Sequence, residues 1–168
     1  MTIKKYYNIA KTKLFPITRS LTGDGVKKTL NIIQKEFPKL QIKKFKSGAK
    51  VFDWNIPEEW NVSEAHVIDK YNNKIIDFKK NNLHLVGYST PIKRSITKKE
   101  LFKNLYYLKN QPKTIPYITS YYKKRWGFCI SYNEYKIFDK RYSLKDKFKV
   151  VINSSFNKKG NLNYGELI

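Results

Sequence analysis

The hydrophobic period changes once, at Leu40, and that change limits the fold more than anything else in the chain. Before it, apolar residues recur at helical spacing. Ile3, Tyr7, Ala10 and Leu14 form one stripe, stopped by Phe15-Pro16, and Val26, Leu30, Ile33 and Phe37 form a second, closed by Pro38. Thr22-Gly-Asp-Gly ahead of the second stripe predicts an N-cap with an acid in the first turn. Its two glycines suggest a phosphate loop, but no Gly-Lys-Ser/Thr follows and no apolar strand precedes, so that reading is rejected.

After Leu40 the pattern becomes strand-like. Leu40-Gln-Ile-Lys alternates and then slips at Lys43-Lys44-Phe45, which predicts a bulge or an edge strand. Residues 50 to 94 read as strands separated by Tyr71-Asn-Asn-Lys and Asn81-Asn82 turns, with Leu83 to Tyr88 one of the strands. Thr97-Lys-Lys-Glu100 is a capping box and predicts one helix with Leu101, Leu105 and Leu108 as its buried stripe. Strands are expected at Tyr117 to Tyr121, Gly127 to Tyr132 and Phe148 to Ile152. A short helix is expected over Asn133 to Arg141, and a last strand begins at Leu162. The fold class is therefore α+β.

Composition narrows the function. The 168 residues carry 35 Lys+Arg against 13 Asp+Glu, a formal net charge of +22. Only Arg19, Arg94, Arg125 and Arg141 are arginines, and the lysines are scattered without a block. Sequence-reading nucleic-acid binders use arginine for bidentate contacts, so the expectation here is a solvated lysine surface that binds nucleic acid only non-specifically and loses it with salt. No apolar run is long enough to span a membrane and the opening residues lack a signal-peptide core, so a cytoplasmic protein is expected. A single cysteine, Cys129, excludes an internal disulfide and a multi-cysteine zinc site.

Few side chains offer chemistry. His66 and His84 sit in separate strand-like stretches, where a lone histidine is usually structural. Cys129 with His84 is a formal thiol–imidazole pair, but Phe128-Cys129-Ile130 is an apolar context in which cysteine acts as a small hydrophobe. Glu58-Glu59 points its carboxylates to opposite sides of an extended chain, leaving one of them solvated, and Asp53 beside Trp54 reads as a turn residue. The best ligand-lining candidates are Ser120, Tyr121, Tyr122, Arg125 and Trp126, where hydroxyls, a guanidinium and an indole cluster. The competing reading of that cluster is a hairpin with aromatic cross-strand packing. No catalytic or metal-ligating residue is assigned.

Several segments in order resemble the N-terminal portion of a bacterial aminopeptidase-like family of formally unknown function, often encoded with polysaccharide-biosynthesis genes. They are Leu14-Phe-Pro-Ile-Thr-Arg-Ser-Leu-Thr-Gly-Asp-Gly25, Ser47-Gly-Ala-Lys-Val-Phe-Asp-Trp54, Pro57-Glu-Glu-Trp-Asn61, Asn82-Leu-His-Leu-Val-Gly-Tyr-Ser-Thr-Pro91, Ile115-Pro-Tyr-Ile-Thr-Ser-Tyr-Tyr122, Trp126-Gly-Phe-Cys129 and Tyr164-Gly-Glu-Leu167. The resemblance implies an α/β zinc-aminopeptidase core begun by residues 1–49, a β-rich inserted domain over 50–155, and a return to the core, cut short, over 156–168. It also implies a co-catalytic zinc centre in the full-length family, but no residue here matches a family metal ligand. The chain is thus expected to bind no zinc, to be inactive alone, and to need a C-terminal catalytic half or a homo-oligomer partner. The alternative is a free-standing β-rich module that binds a peptide or a glycan.

Overall fold

A computed structural model describes residues 3–167. The chain divides into two compact units: one made of residues up to 61 together with those from 156 on, the other of residues 62–155. The first boundary falls at 61/62, beyond the 49/50 expected from the resemblance, because a small hairpin and the start of a long strand belong with the first unit.

In unit 1, α1 (Ile3–Ile9) runs into a π-helical turn over Ala10–Leu14, and α2 spans Asp24–Glu36. β1 (Leu40–Lys46) pairs antiparallel with β10 (Asn161–Leu167), in register from Leu40↔Leu167 to Lys46↔Asn161. β2 (Lys50–Val51) and β3 (Trp54–Asn55) form a hairpin. The slip at Lys43-Lys44 marks an edge strand: β1 has β10 as its one ladder partner among the described residues. α2 packs on β1 and β10, with Leu30 against Gly165. Yet none of its residues is buried, and the whole Val26, Leu30, Ile33, Phe37 stripe stays partly exposed. Two strands are too narrow to cover a helix face of that length.

The start of α2 departs from expectation. Thr22 is not the cap. Gly23 is, at φ 95°, and the side chain that accepts the Asp24 backbone N–H is that of Asn61, at 2.8 Å. An L-residue at Gly23 would place its Cβ 2.1 Å from the Trp60 carbonyl oxygen, so glycine is required by both conformation and space.

Unit 2 is built on a four-stranded sheet in the order β5-β4-β9-β6, from β4 (Glu59–Ile68), β5 (Lys74–Asp77), β6 (Ile92–Thr97) and β9 (Lys147–Asn157). The β6–β9 register sets Ile96 opposite Phe148 and Ile92 opposite Ile152. Ile96, Phe148 and Ile152 join Ala65, Val67, Ile76, Leu101, Phe128 and Ile130 in a closed core, each at most 3% exposed, while Ile92 is only half-buried. α3 (Lys98–Phe102) and α4 (Tyr132–Arg141) both start in complete capping boxes, Thr97 with Glu100 and Ser131 with Glu134. Lys98 is buried, and its ammonium donates to the carbonyls of Asp139 and Tyr142 at the end of α4, each at 2.8 Å. Asp69 is buried as well, accepting from the Tyr142 hydroxyl at 2.8 Å and from the Tyr71 and Asn73 backbone.

Four expectations fail or shrink here. α3 ends at Phe102, so Leu105 falls in β7 (Leu105–Tyr106) and Leu108 is 37% exposed. Leu83 to Tyr88 is not a strand but a 3-10 turn at Asn82–His84 followed by irregular chain. Tyr117 to Tyr121 contributes a single bridge, Gly87↔Thr119, and Gly127 to Tyr132 shortens to β8 (Phe128–Cys129), parallel to β7. Isolated bridges (Leu85↔Phe128 and Gly87↔Thr119), single backbone hydrogen bonds and a few serine hydroxyls take the place of a continuous ladder in this region. Among the described residues no helix is long and apolar enough to cross a membrane.

Candidate functional site

The candidate side chains on residues 120–126 lie on a loop bound to the irregular segment 85–90. Gly87 N–H donates to Ile118 O at 2.8 Å, Ser120 N–H to Gly87 O at 2.9 Å and Thr90 N–H to Arg125 O at 2.9 Å. Buried serines complete the net. Ser89 Oγ donates to Val86 O and accepts from Gly127 N–H, while Ser154 Oγ donates to Ser89 O at 2.8 Å. Between these anchors Tyr88 is held at φ 62° with 3% exposure. A bulky residue in the left-handed region costs roughly 1–3 kcal/mol and persists only where its neighbours over-determine it. The serine net supplies that constraint.

The five expected residues have different surroundings. Ser120 is buried and its hydroxyl is engaged with Gly87 O at 3.1 Å, so it is a strut of the loop. Tyr121 is half-buried, edge-on to Tyr88 at 5.9 Å and against Tyr122 at 4.3 Å. Tyr122 is 74% exposed. Trp126 packs edge-on to Phe128. Arg125 holds its guanidinium 5.3 Å from the centre of the Tyr106 ring, donating weakly to Tyr106 Oη at 3.4 Å and Thr119 O at 3.3 Å, while its Nε is buried without a partner. These partners are neutral, so the guanidinium keeps its charge for an incoming oxyanion or carbonyl. The structure thus places Ser120 in the scaffold and leaves Tyr121, Tyr122, Arg125 and Trp126 partly or largely exposed.

Cys129 and His84 do not make a nucleophile pair. His84 Nδ1 lies 2.8 Å from the Cys129 carbonyl oxygen. Cys129 is fully buried, and burial pushes its thiol up to about 12 against the smaller opposing effects of the Ile118 hydrogen bond and Arg125. The native protein is therefore expected to resist iodoacetamide at mildly alkaline pH and to be alkylated stoichiometrically once unfolded. Rapid labelling of the native chain, read by mass spectrometry, contradicts this.

A second polar cluster, in unit 1, was not anticipated from sequence. Glu59 is buried and accepts from the Asn161 backbone N–H at 2.9 Å, with Lys27 Nζ 3.4 Å from its carboxylate. Trp60 N–H donates to Thr22 Oγ1 at 3.0 Å. Thr22-Gly-Asp-Gly and Pro-Glu-Glu-Trp-Asn therefore meet, and their polar atoms satisfy one another. The signal available in the sequence was slight: an acid pair in one motif and a lysine two residues beyond the glycines of the other.

The zinc implied by the resemblance does not fit these residues. Among the described residues no three His, Cys, Asp or Glu side chains converge to hold a metal ion.

Comparison with known proteins agrees with the motifs. A Clostridium acetobutylicum protein provisionally named for polysaccharide biosynthesis with an aminopeptidase-like domain is 47% identical over 160 residues, covering 95% of this chain and 35% of the relative. A crystal structure of a C. acetobutylicum protein provisionally described as a peptidase superposes with a TM-score of 0.82 at 43% identity, covering 97% of this chain and 39% of that one. The chain thus spans little more than a third of the length of these relatives. Residues 59–155, which include all of unit 2, match the family described as domain of unknown function DUF2172, and the chain belongs to that family.

Proposed function

We propose that this chain provides the N-terminal part of a cytoplasmic aminopeptidase-like metallohydrolase, acting on peptide or amide bonds, and is inactive by itself. Unit 1 begins the peptidase core, unit 2 is the module inserted into it, and the metal ligands come from sequence outside these residues. The observation that carries this reading is the α2 face: a helix with no buried residue, resting on two strands, needs more sheet before its stripe is covered. The partial coverage of both relatives supports it.

Co-expression with the rest of the C. acetobutylicum relative tests the proposal. The expected result is a complex that retains zinc through dialysis, hydrolyses aminoacyl amides, and protects unit 1 amides from hydrogen exchange. The chain alone is expected to show none of these. Unit 1 amides as protected in the isolated chain as those of unit 2 overturn the reading.

One observation favours the second reading, a free-standing peptide- or glycan-binding module: the core of unit 2 closes within residues 62–155. Nucleic-acid binding on either reading is non-specific and falls by orders of magnitude as salt rises.

A further inference from the structure

Alternation along β4 sends Ala65 and Val67 into the core of unit 2 and puts Glu64 and His66 on the opposite face of the sheet. A cleft of about 620 Å³ is lined by Glu64, His66, Pro91, Lys93, Val151 and Asn153, with Ile92 and Ile152 also bordering it. Lys93 and Val151 are directly opposite in the β6–β9 register, so they share this face. We propose that the cleft binds a short zwitterion of dipeptide size, its amine at the Glu64–His66 pair and its carboxylate at Lys93.

The geometry at His66 selects the amine end. The His66 side chain is 9% exposed, and its Nδ1 is sealed from solvent, 3.2 Å from Glu64 Oε1 but without hydrogen-bond geometry, so the contact is electrostatic. A carboxylate at that distance favours the tautomer with the proton on Nδ1, which leaves Nε2 with a lone pair. The charged groups around the ring are Glu64, Lys74, Asp77 and Lys79. Burial first, and then Lys74, hold its pKa below the ordinary histidine range, so the ring is neutral at neutral pH and Nε2 stays an acceptor. A neutral acceptor beside a half-exposed carboxylate suits a cationic donor and repels a lone anion.

The distance across the sheet sets the ligand size. β9 lies between β4 and β6, so the strands bearing Glu64 and Lys93 are about 10 Å apart at the usual strand spacing. Both side chains reach inward from there. Two extended residues span roughly 7 Å. Val151, between the two charged ends, gives an apolar floor for a small side chain. Binding needs no bond cleavage, so the proposal stands independently of the hydrolase reading.

The test is titration of the whole chain with Ala-Ala at neutral pH, followed by NMR of the His66 ring and by calorimetry. Saturable one-to-one binding is expected, with shifts at His66, weakening in acid as the ring protonates. N-acetyl-Ala-Ala and Ala-Ala amide should each bind about tenfold or more weakly, as should Glu64→Gln and Lys93→Met proteins tested with Ala-Ala. Both substitutions are at partly or fully exposed side chains, and unchanged circular dichroism and melting will verify the fold. The proposal is overturned by no saturable shift, by equal affinity for the N-acetylated peptide, or by variants that bind as well as the parent.

Discussion

Replacing Gly23 by alanine is expected to remove the hydrogen-exchange protection of unit 1. The residue lies at φ 95°, where any Cβ is strained. That Cβ would be 2.1 Å from the Trp60 carbonyl oxygen and 2.8 Å from Asn61 Oδ1, the acceptor that caps Asp24. The backbone oxygen cannot swing aside as a side chain would, so relief requires parting the two motif loops. Backbone strain and overpacking together cost about 3 kcal/mol or more. The loss should spread to the Trp60 and Asn161 amides, which depend on Thr22 and Glu59. Native-like protection at those amides in the alanine variant would show that the loops are not locked through Gly23.

Lys98→Met is expected to be the most damaging single change of a charged residue in unit 2. Methionine keeps the packing of the stem but leaves the Asp139 and Tyr142 carbonyls at the end of α4 without their donor. The ammonium also opposes the negative end of that helix. Its ion pair with Asp139 adds little, since that carboxylate is 55% exposed. The buried hydrogen bonds carry the effect, about 3 kcal/mol and a melting decrease on the order of 10 °C. A decrease within the scatter of ordinary surface substitutions would mean that water replaces the ammonium. Asp69 gives a separate pH signature. Burial opposes its ionised form, but the Tyr142, Asn73 and Tyr71 hydrogen bonds outweigh that and hold its pKa below the usual carboxylate value. Its contribution is therefore complete above the unfolded pKa and disappears as pH falls through the lower folded value.

Local chemistry was readable where a few adjacent residues decide the structure. Thr97-Lys-Lys-Glu100 announces its helix because both halves of the capping box lie within one turn. Ser131-Tyr-Asn-Glu134 carries the same signal and sets the start of α4 at Tyr132, a residue ahead of the expected Asn133. The failures lie where distant partners decide. Thr22 looks like a cap by composition, but Gly23 holds that position and Asn61, 37 positions beyond Asp24, accepts the Asp24 N–H. Leu83 to Tyr88 has strand composition, yet its hydrogen bonds go to Ser89, Gly127 and residues near 118–120, and Tyr88 turns into a conformation its residue type disfavours. Arg125 and Tyr122 could be named as ligand candidates from their chemistry. That Ser120 would be consumed in holding the loop could not, because its partner Gly87 lies in another segment.

The pairing of β1 with β10 has a consequence for synthesis on the ribosome. β1 ends at Lys46, and its partner begins at Asn161. At ordinary elongation rates that gap lasts on the order of ten seconds. Throughout it β1 has both edges open while the intervening unit 2 emerges and can fold. Its sequence, Leu-Gln-Ile-Lys-Lys-Phe-Lys, puts three lysines on a seven-residue strand. Lysines on an open edge discourage pairing between nascent chains. Part of the excess basic charge thus acts as a temporary guard, keeping β1 single until its own partner is made.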